Sequence, residues 1–153
     1  MKLQRKGLWL IAAGVLLSIG LLNVQRAFAF DRTCSLETLK GQYMVSASGT
    51  LFPPAFGVTT PSISAAAGYS IYDGNGTGTD YVTFTVNGVN QNVESPTATK
   101  YTLKPDCTGT KTVLPYGPDF NIFVAIDGEV LTAVTTDAGF AATESDSRVK
   151  WSH

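Results

Sequence analysis

Histidine is nearly missing from this chain: the one instance, His153, is the last residue. Ser-His-Asp and Cys-His systems need an imidazole held by packing, and histidine-based zinc sites need several ring nitrogens converging on one ion. A terminal side chain, where fraying is the default, supplies neither. Cysteine is almost as scarce. Cys34 and Cys107 form no C-x-x-C pair and have no histidine beside them, which argues against redox or nucleophilic use. Basic residues form no patch, so nothing in the charge pattern suits a nucleic-acid backbone. The glycine-rich segment Asp73-Gly74-Asn75-Gly76 is followed by neither a helix nor a Lys-Ser/Thr pair, which excludes a phosphate loop. It also begins like a calcium loop, but the twelfth position, where a bidentate Glu would be needed, is Phe84. We therefore expect no metal and no cofactor.

What is present begins with a leader. Lys2, Arg5 and Lys6 precede an apolar stretch from Gly7 to Leu22, and Ala27-Phe28-Ala29 ends it with small residues at the two positions that signal peptidase reads. The pattern predicts a signal helix over residues 1–29, cleaved after Ala29, and a secreted or periplasmic domain over residues 30–153. The apolar stretch is shorter than the ~20 residues of a spanning helix, and its removal leaves no stable membrane anchor. Four of the eleven Lys and Arg residues depart with the leader while all twelve acids remain, a mature balance of −5. In an exported chain, an even cysteine count reads as a disulfide, here Cys34 to Cys107.

Beyond the leader, period-2 alternation dominates. In Val82-Thr83-Phe84-Thr85-Val86 the apolar residues share one face and the threonines the other, as in a half-buried strand. Tyr43, Val45 and Ala47 share a face, as do Tyr69 and Ile71, while Tyr101 and Leu103 oppose Lys100, Thr102 and Lys104. Phe120, Ile122, Val124 and Ile126 line one face of a strand whose other face carries Phe123, which suggests cover on both sides. Asp73-Gly74-Asn75-Gly76, Asn87-Gly88 and Asp127-Gly128 punctuate the strands as hairpin turns. Pro53, Pro54 and Pro61 make residues 52–62 a loop or edge, able to cover one end of the domain. Cys34 to Lys40 has room for one helical turn capped by Ser35. The strand count and the lack of long crossovers predict an all-β, single antiparallel up-and-down barrel of about eight strands.

Candidate sites are few. Asp119, Asp127, Glu129, Asp137, Glu144 and Asp146 are numerous late in the chain, but most lie near glycines or turns and read as solvated loop carboxylates. Tyr43, Tyr69 and Tyr101 each share a face with aliphatic residues. Pointing inward, three phenols would either fill the barrel or line a pocket for a small amphipathic molecule.

Leu39-Lys40-Gly41-Gln42-Tyr43, the Asp73-Gly74-Asn75-Gly76 turn, Asn87-Gly88, and Tyr101 followed by Pro105-Asp106-Cys107-Thr108-Gly109-Thr110 resemble small exported bacterial β proteins of uncharacterised function. More loosely, Gly41-Gln42-Tyr43 and the late Arg148 resemble the calycin group, whose lipocalins carry G-x-W on the first strand and an arginine packed over the Trp. This chain has Tyr in the Trp position. The resemblance implies that Gly41, Tyr43 and Arg148 close the barrel end, a structural role. A similar likeness to the allene oxide cyclase barrel implies that catalysis by shaping a bound substrate is open to such a fold, although none of that family's catalytic residues is matched. Together these expectations describe an exported barrel that binds a small hydrophobic ligand at Tyr43, Tyr69 and Tyr101 without covalent chemistry. The alternatives are a filled barrel serving as an interaction module, or a cyclase- or isomerase-like enzyme.

Overall fold

The computed structural model describes residues 33–91, 96–115 and 117–150. The expected leader, with its expected helix and cleavage point, and His153 lie outside the described residues.

Among the described residues, nine strands follow the 3-10 turn Leu36–Leu39, and a second short 3-10 turn, Ala55–Gly57, lies between the first two strands. The strands are β1 (Gly41–Leu51), β2 (Ser62–Tyr72), β3 (Thr77–Val86), β4 (Val89–Asn90), β5 (Thr97–Leu103), β6 (Thr108–Val113), β7 (Asp119–Val124), β8 (Val130–Thr135) and β9 (Phe140–Arg148). All pairings are antiparallel, each long strand pairs with its neighbours in sequence, and β1 closes on β9. The result is a closed eight-stranded up-and-down barrel, with β4 as a short flap hydrogen-bonded to the end of β3. Among the described residues no helix is long and apolar enough to cross a membrane.

The turn chemistry explains the connections. Asn87 and Gly88 both have positive φ, 49° and 79°, which the two-residue β3–β4 turn requires. Asp73 accepts the N–H groups of Asn75 and Thr77 at 2.8 and 3.0 Å and the Thr77 hydroxyl at 2.7 Å, so its oxygens are consumed by its own turn between β2 and β3. Closure also needs strands that bend sharply. Gly68 on β2 and Gly109 on β6 occupy inward positions where a Cβ would run into the backbone carbonyls of Tyr81 and Thr102. Glycine lets neighbouring strands approach there.

One half of the barrel is filled. Tyr43, Tyr72, Tyr101, Ile122 and Leu131 pack inside it around Leu39, which enters from the 3-10 turn as a stopper. Tyr43 meets Tyr72 edge-on with centroids 5.4 Å apart, and Tyr72 meets Tyr101 likewise at 5.3 Å. The Cys34–Cys107 disulfide, with Cα atoms 5.0 Å apart, ties the arm before the stopper to the β5–β6 turn. Arg148 completes this closed end. Its guanidinium lies 5.2 Å from the Tyr43 ring centroid and donates to the Tyr43 hydroxyl, to Gly128 O and to Thr38 O. Tyr43 in turn donates to Gly128 O at 2.6 Å.

Tyr43→Phe removes the hydroxyl from this latch and leaves an arginine N–H short of an acceptor. We expect a loss of about 1–3 kcal/mol in urea unfolding. An unchanged midpoint would mean that Arg148 finds equivalent acceptors in solvent.

Two expectations are corrected. Phe123 lies on the outer face of β7 and is 52% exposed, so that strand is covered on one side only. Ile126 lies beyond the end of β7 and is also exposed, because the chain has already turned toward β8.

Candidate functional site

The opposite half of the barrel is a cup of about 780 Å³. Its wall is built from inward positions of seven strands, including Val45, Ala66, Val82, Phe84, Thr97, Val113, Phe120, Phe140 and Ala142. The rim carries Pro96, Pro115 and Pro118 on the connections between strands. The proline-rich β1–β2 connection bends over it. Phe56, at φ 50° in the short 3-10 turn Ala55–Gly57, meets Phe84 at a tilt and Phe140 edge-on, with centroids 5.6 and 5.7 Å away. On one side, among the described residues, β3 pairs with β5 from Thr77 to Asp80 and with β4 at its far end.

Beneath the cup, a belt of polar groups crosses the barrel. Lys111 on β6 is 1% exposed, and its Nζ lies 2.7 Å from Glu144 Oε1 on β9 and 3.2 Å from Asp80 Oδ2 on β3. Ser70 on β2 donates to Asp80 Oδ1 at 2.6 Å. Tyr72 donates to Asp146 Oδ2 at 3.2 Å. The ammonium also faces the Tyr72 and Phe120 rings, at 5.8 and 5.7 Å from their centroids. Asp146 Oδ1 and Thr99 Oγ1 are buried without a hydrogen-bond partner.

Three carboxyl groups thus surround one ammonium, and the electrostatics follow from that imbalance. Burial, reinforced by Glu144, pushes the Asp146 carboxyl up to about 8, although Lys111 and the Tyr72 hydroxyl pull it back. A neutral acid also tolerates an unpaired oxygen better than a carboxylate does. Burial by itself would lower Lys111, but the phenol and carboxylates facing it outweigh burial and hold it well above the usual lysine value.

A carboxyl whose pKa is higher folded than unfolded binds more protons in the native state, so it weakens the fold as pH rises. For Asp146 the decline runs from near pH 4, where the unfolded chain titrates, to about pH 8. Asp146→Asn supplies a permanently neutral group of the same shape. We expect its melting temperature to match the parent near pH 4 and to exceed it at pH 8.5 by roughly 4 °C or more, corresponding to about 1 kcal/mol. Parallel melting curves at the two pH values would show that Asp146 is not the group that titrates.

The structure separates the expected tyrosines. Tyr43 and Tyr101 point inward but belong to the filled half, where Tyr101 donates to Leu36 O at 3.1 Å. Tyr69 lies on the outer face of β2, stacked on Tyr81 at 4.7 Å, because its alternation partners Ser70 and Tyr72 are the residues buried inside. None of Tyr43, Tyr69 and Tyr101 lines the cup. Glu144 and Asp146 are not loop carboxylates but inward residues of β9. By contrast, Asp119, Asp127 and Asp137 sit at turns or strand ends, each accepting local donors. Nothing in the sequence marks Ser70 and Tyr72 as inward residues, and Asp80 and Lys111 read there as a turn residue and a scattered surface cation. Among the described residues no cluster of His, Cys, Asp and Glu is arranged to hold a metal ion. No family model, no curated protein and no solved structure matches this chain.

Proposed function

We propose that this protein is an exported carrier that holds one small hydrophobic or amphipathic molecule in the open half of its barrel, without covalent chemistry. The cup itself carries the proposal: about 780 Å³ of mostly apolar wall above a polar floor is the size and composition of a small-molecule site. Export is supported by the disulfide, since such bonds persist in oxidising compartments. Asp80 and Glu144 serve as recognition groups, each held in place by Lys111.

A neutral naphthylamine dye that fluoresces in apolar surroundings tests this directly. The protein should bind it, and Ala66→Trp, which places an indole in the cup from β2, should weaken binding at least tenfold with little change in melting temperature. Absence of dye binding by the parent protein, or equal binding by the variant, would remove the carrier reading. An interaction role is then the remaining candidate, favoured by exposed Phe123 beside Val134 on the outer wall.

A further inference from the structure

The floor of the cup says what the occupant's polar end should be. Asp80 and Glu144 are the only ionisable side chains among the described residues that line the cup. Lys111 does not line it: the ammonium sits behind the two carboxylates, 1% exposed and already ion-paired to both. The other inward cation, Arg148, follows Asp146 on β9 but is committed to Thr38, Gly128 and Tyr43 at the closed end. Tyr72 and Asp146, the remaining titratable groups facing this cluster, lie below the floor and add no positive charge. An entering head group therefore meets negative charge with no cation accessible to it.

We infer that the cup selects cationic amphiphiles, seating a protonated amine on Glu144 and Asp80 with its apolar body against Val82, Phe84, Val113 and Phe140. This rests on the carrier reading above and specifies its ligand class. The desolvation cost that normally opposes a buried ion pair is reduced on both sides. The carboxylates are already withdrawn from water in the folded protein, and the head group exchanges its water for two charged acceptors at once. An anionic head group gains nothing here, because an approaching carboxylate faces two others before it could reach Lys111. A bound ammonium also supplies the positive charge that the cluster lacks, so it should displace the proton held by Asp146.

Decylamine, decanol and decanoate share one chain and differ in the head group, which makes them suitable competitors of the neutral dye at pH 7 and low salt. Decylamine should displace the dye at a concentration at least tenfold below decanol, and decanoate should be weaker than decanol. Glu144→Gln should shrink the amine-to-alcohol gap to threefold or less, and Asp80→Asn provides the same comparison if the first variant folds poorly. Titration of decylamine at pH 7.5 in two buffers of different ionisation enthalpy should reveal proton release, with none for decanol. Equal displacement by decylamine and decanol, or preference for decanoate, would overturn the amine inference and leave the carrier reading standing. Failure of both dye and decanol to bind would overturn the carrier reading itself.

Discussion

Lys111→Met should be the most damaging single substitution in this barrel, lowering stability by about 3–5 kcal/mol at neutral pH in urea unfolding. The methionine fills most of the aliphatic path of the lysine, so lost packing is not the main cost. What remains is Asp80 and Glu144 withdrawn from water with no counter-charge, beside Asp146. Against a total stability of about 5–15 kcal/mol for a domain of this size, that loss removes a large part of the margin at pH 7. The defect is excess negative charge, so it should shrink on acidification. Stability of the variant should therefore rise as pH falls toward 5. Adding Asp80→Asn and Glu144→Gln to Lys111→Met should recover most of the loss, because removing every partner of a buried ion pair costs far less than removing one. A single variant within about 1 kcal/mol of the parent would mean that water reaches the belt freely.

The second large effect concerns the disulfide. Cys34→Ala with Cys107→Ala opens a loop spanning 73 residues, and the chain-entropy estimate for that loop is roughly 4 kcal/mol. For a domain of this length we expect a fall of roughly 15 °C or more in melting temperature. The local geometry suggests where the damage begins. The bridge and the bond from Cys34 N–H to Pro105 O hold the arm that delivers Leu36–Leu39 to the closed end. Its loss should expose the interior around Leu39 before the strands separate, and amide exchange at Leu39 and Lys40 should accelerate ahead of exchange in β7 and β8. An unaltered melting temperature after complete reduction would show that the arm docks without covalent help.

The alternation in β1, β3, β5 and β7 made the barrel legible because one face of each strand is apolar. β9 hid the site for the opposite reason. Its inward face reads Ala142, Glu144, Asp146, Arg148 and its outward face Thr143, Ser145, Ser147, so both are polar and the period-2 signal carries no direction. Lys111 is obscured in the same way by flanking Thr110 and Thr112, and Asp80 by Thr79 and Tyr81. Charges are assumed to be outside unless a partner is known, and the partners here come from strands more than thirty residues apart in sequence. Tyr69 failed by register. The Ala65-Ala66-Ala67-Gly68 stretch has too little hydrophobic contrast to indicate which face is inward, and Ser70, a small polar residue, took the interior position because it serves Asp80.

The stopper at the closed end also bears on kinetics. With Arg148 and Leu39 sealing the base, any guest must depart past the rim by which it arrived, and the aromatic trio of Phe56, Phe84 and Phe140 stands at that doorway. On the proposed carrier role, residence time then depends on passage past Phe56 as well as on the charges at the floor.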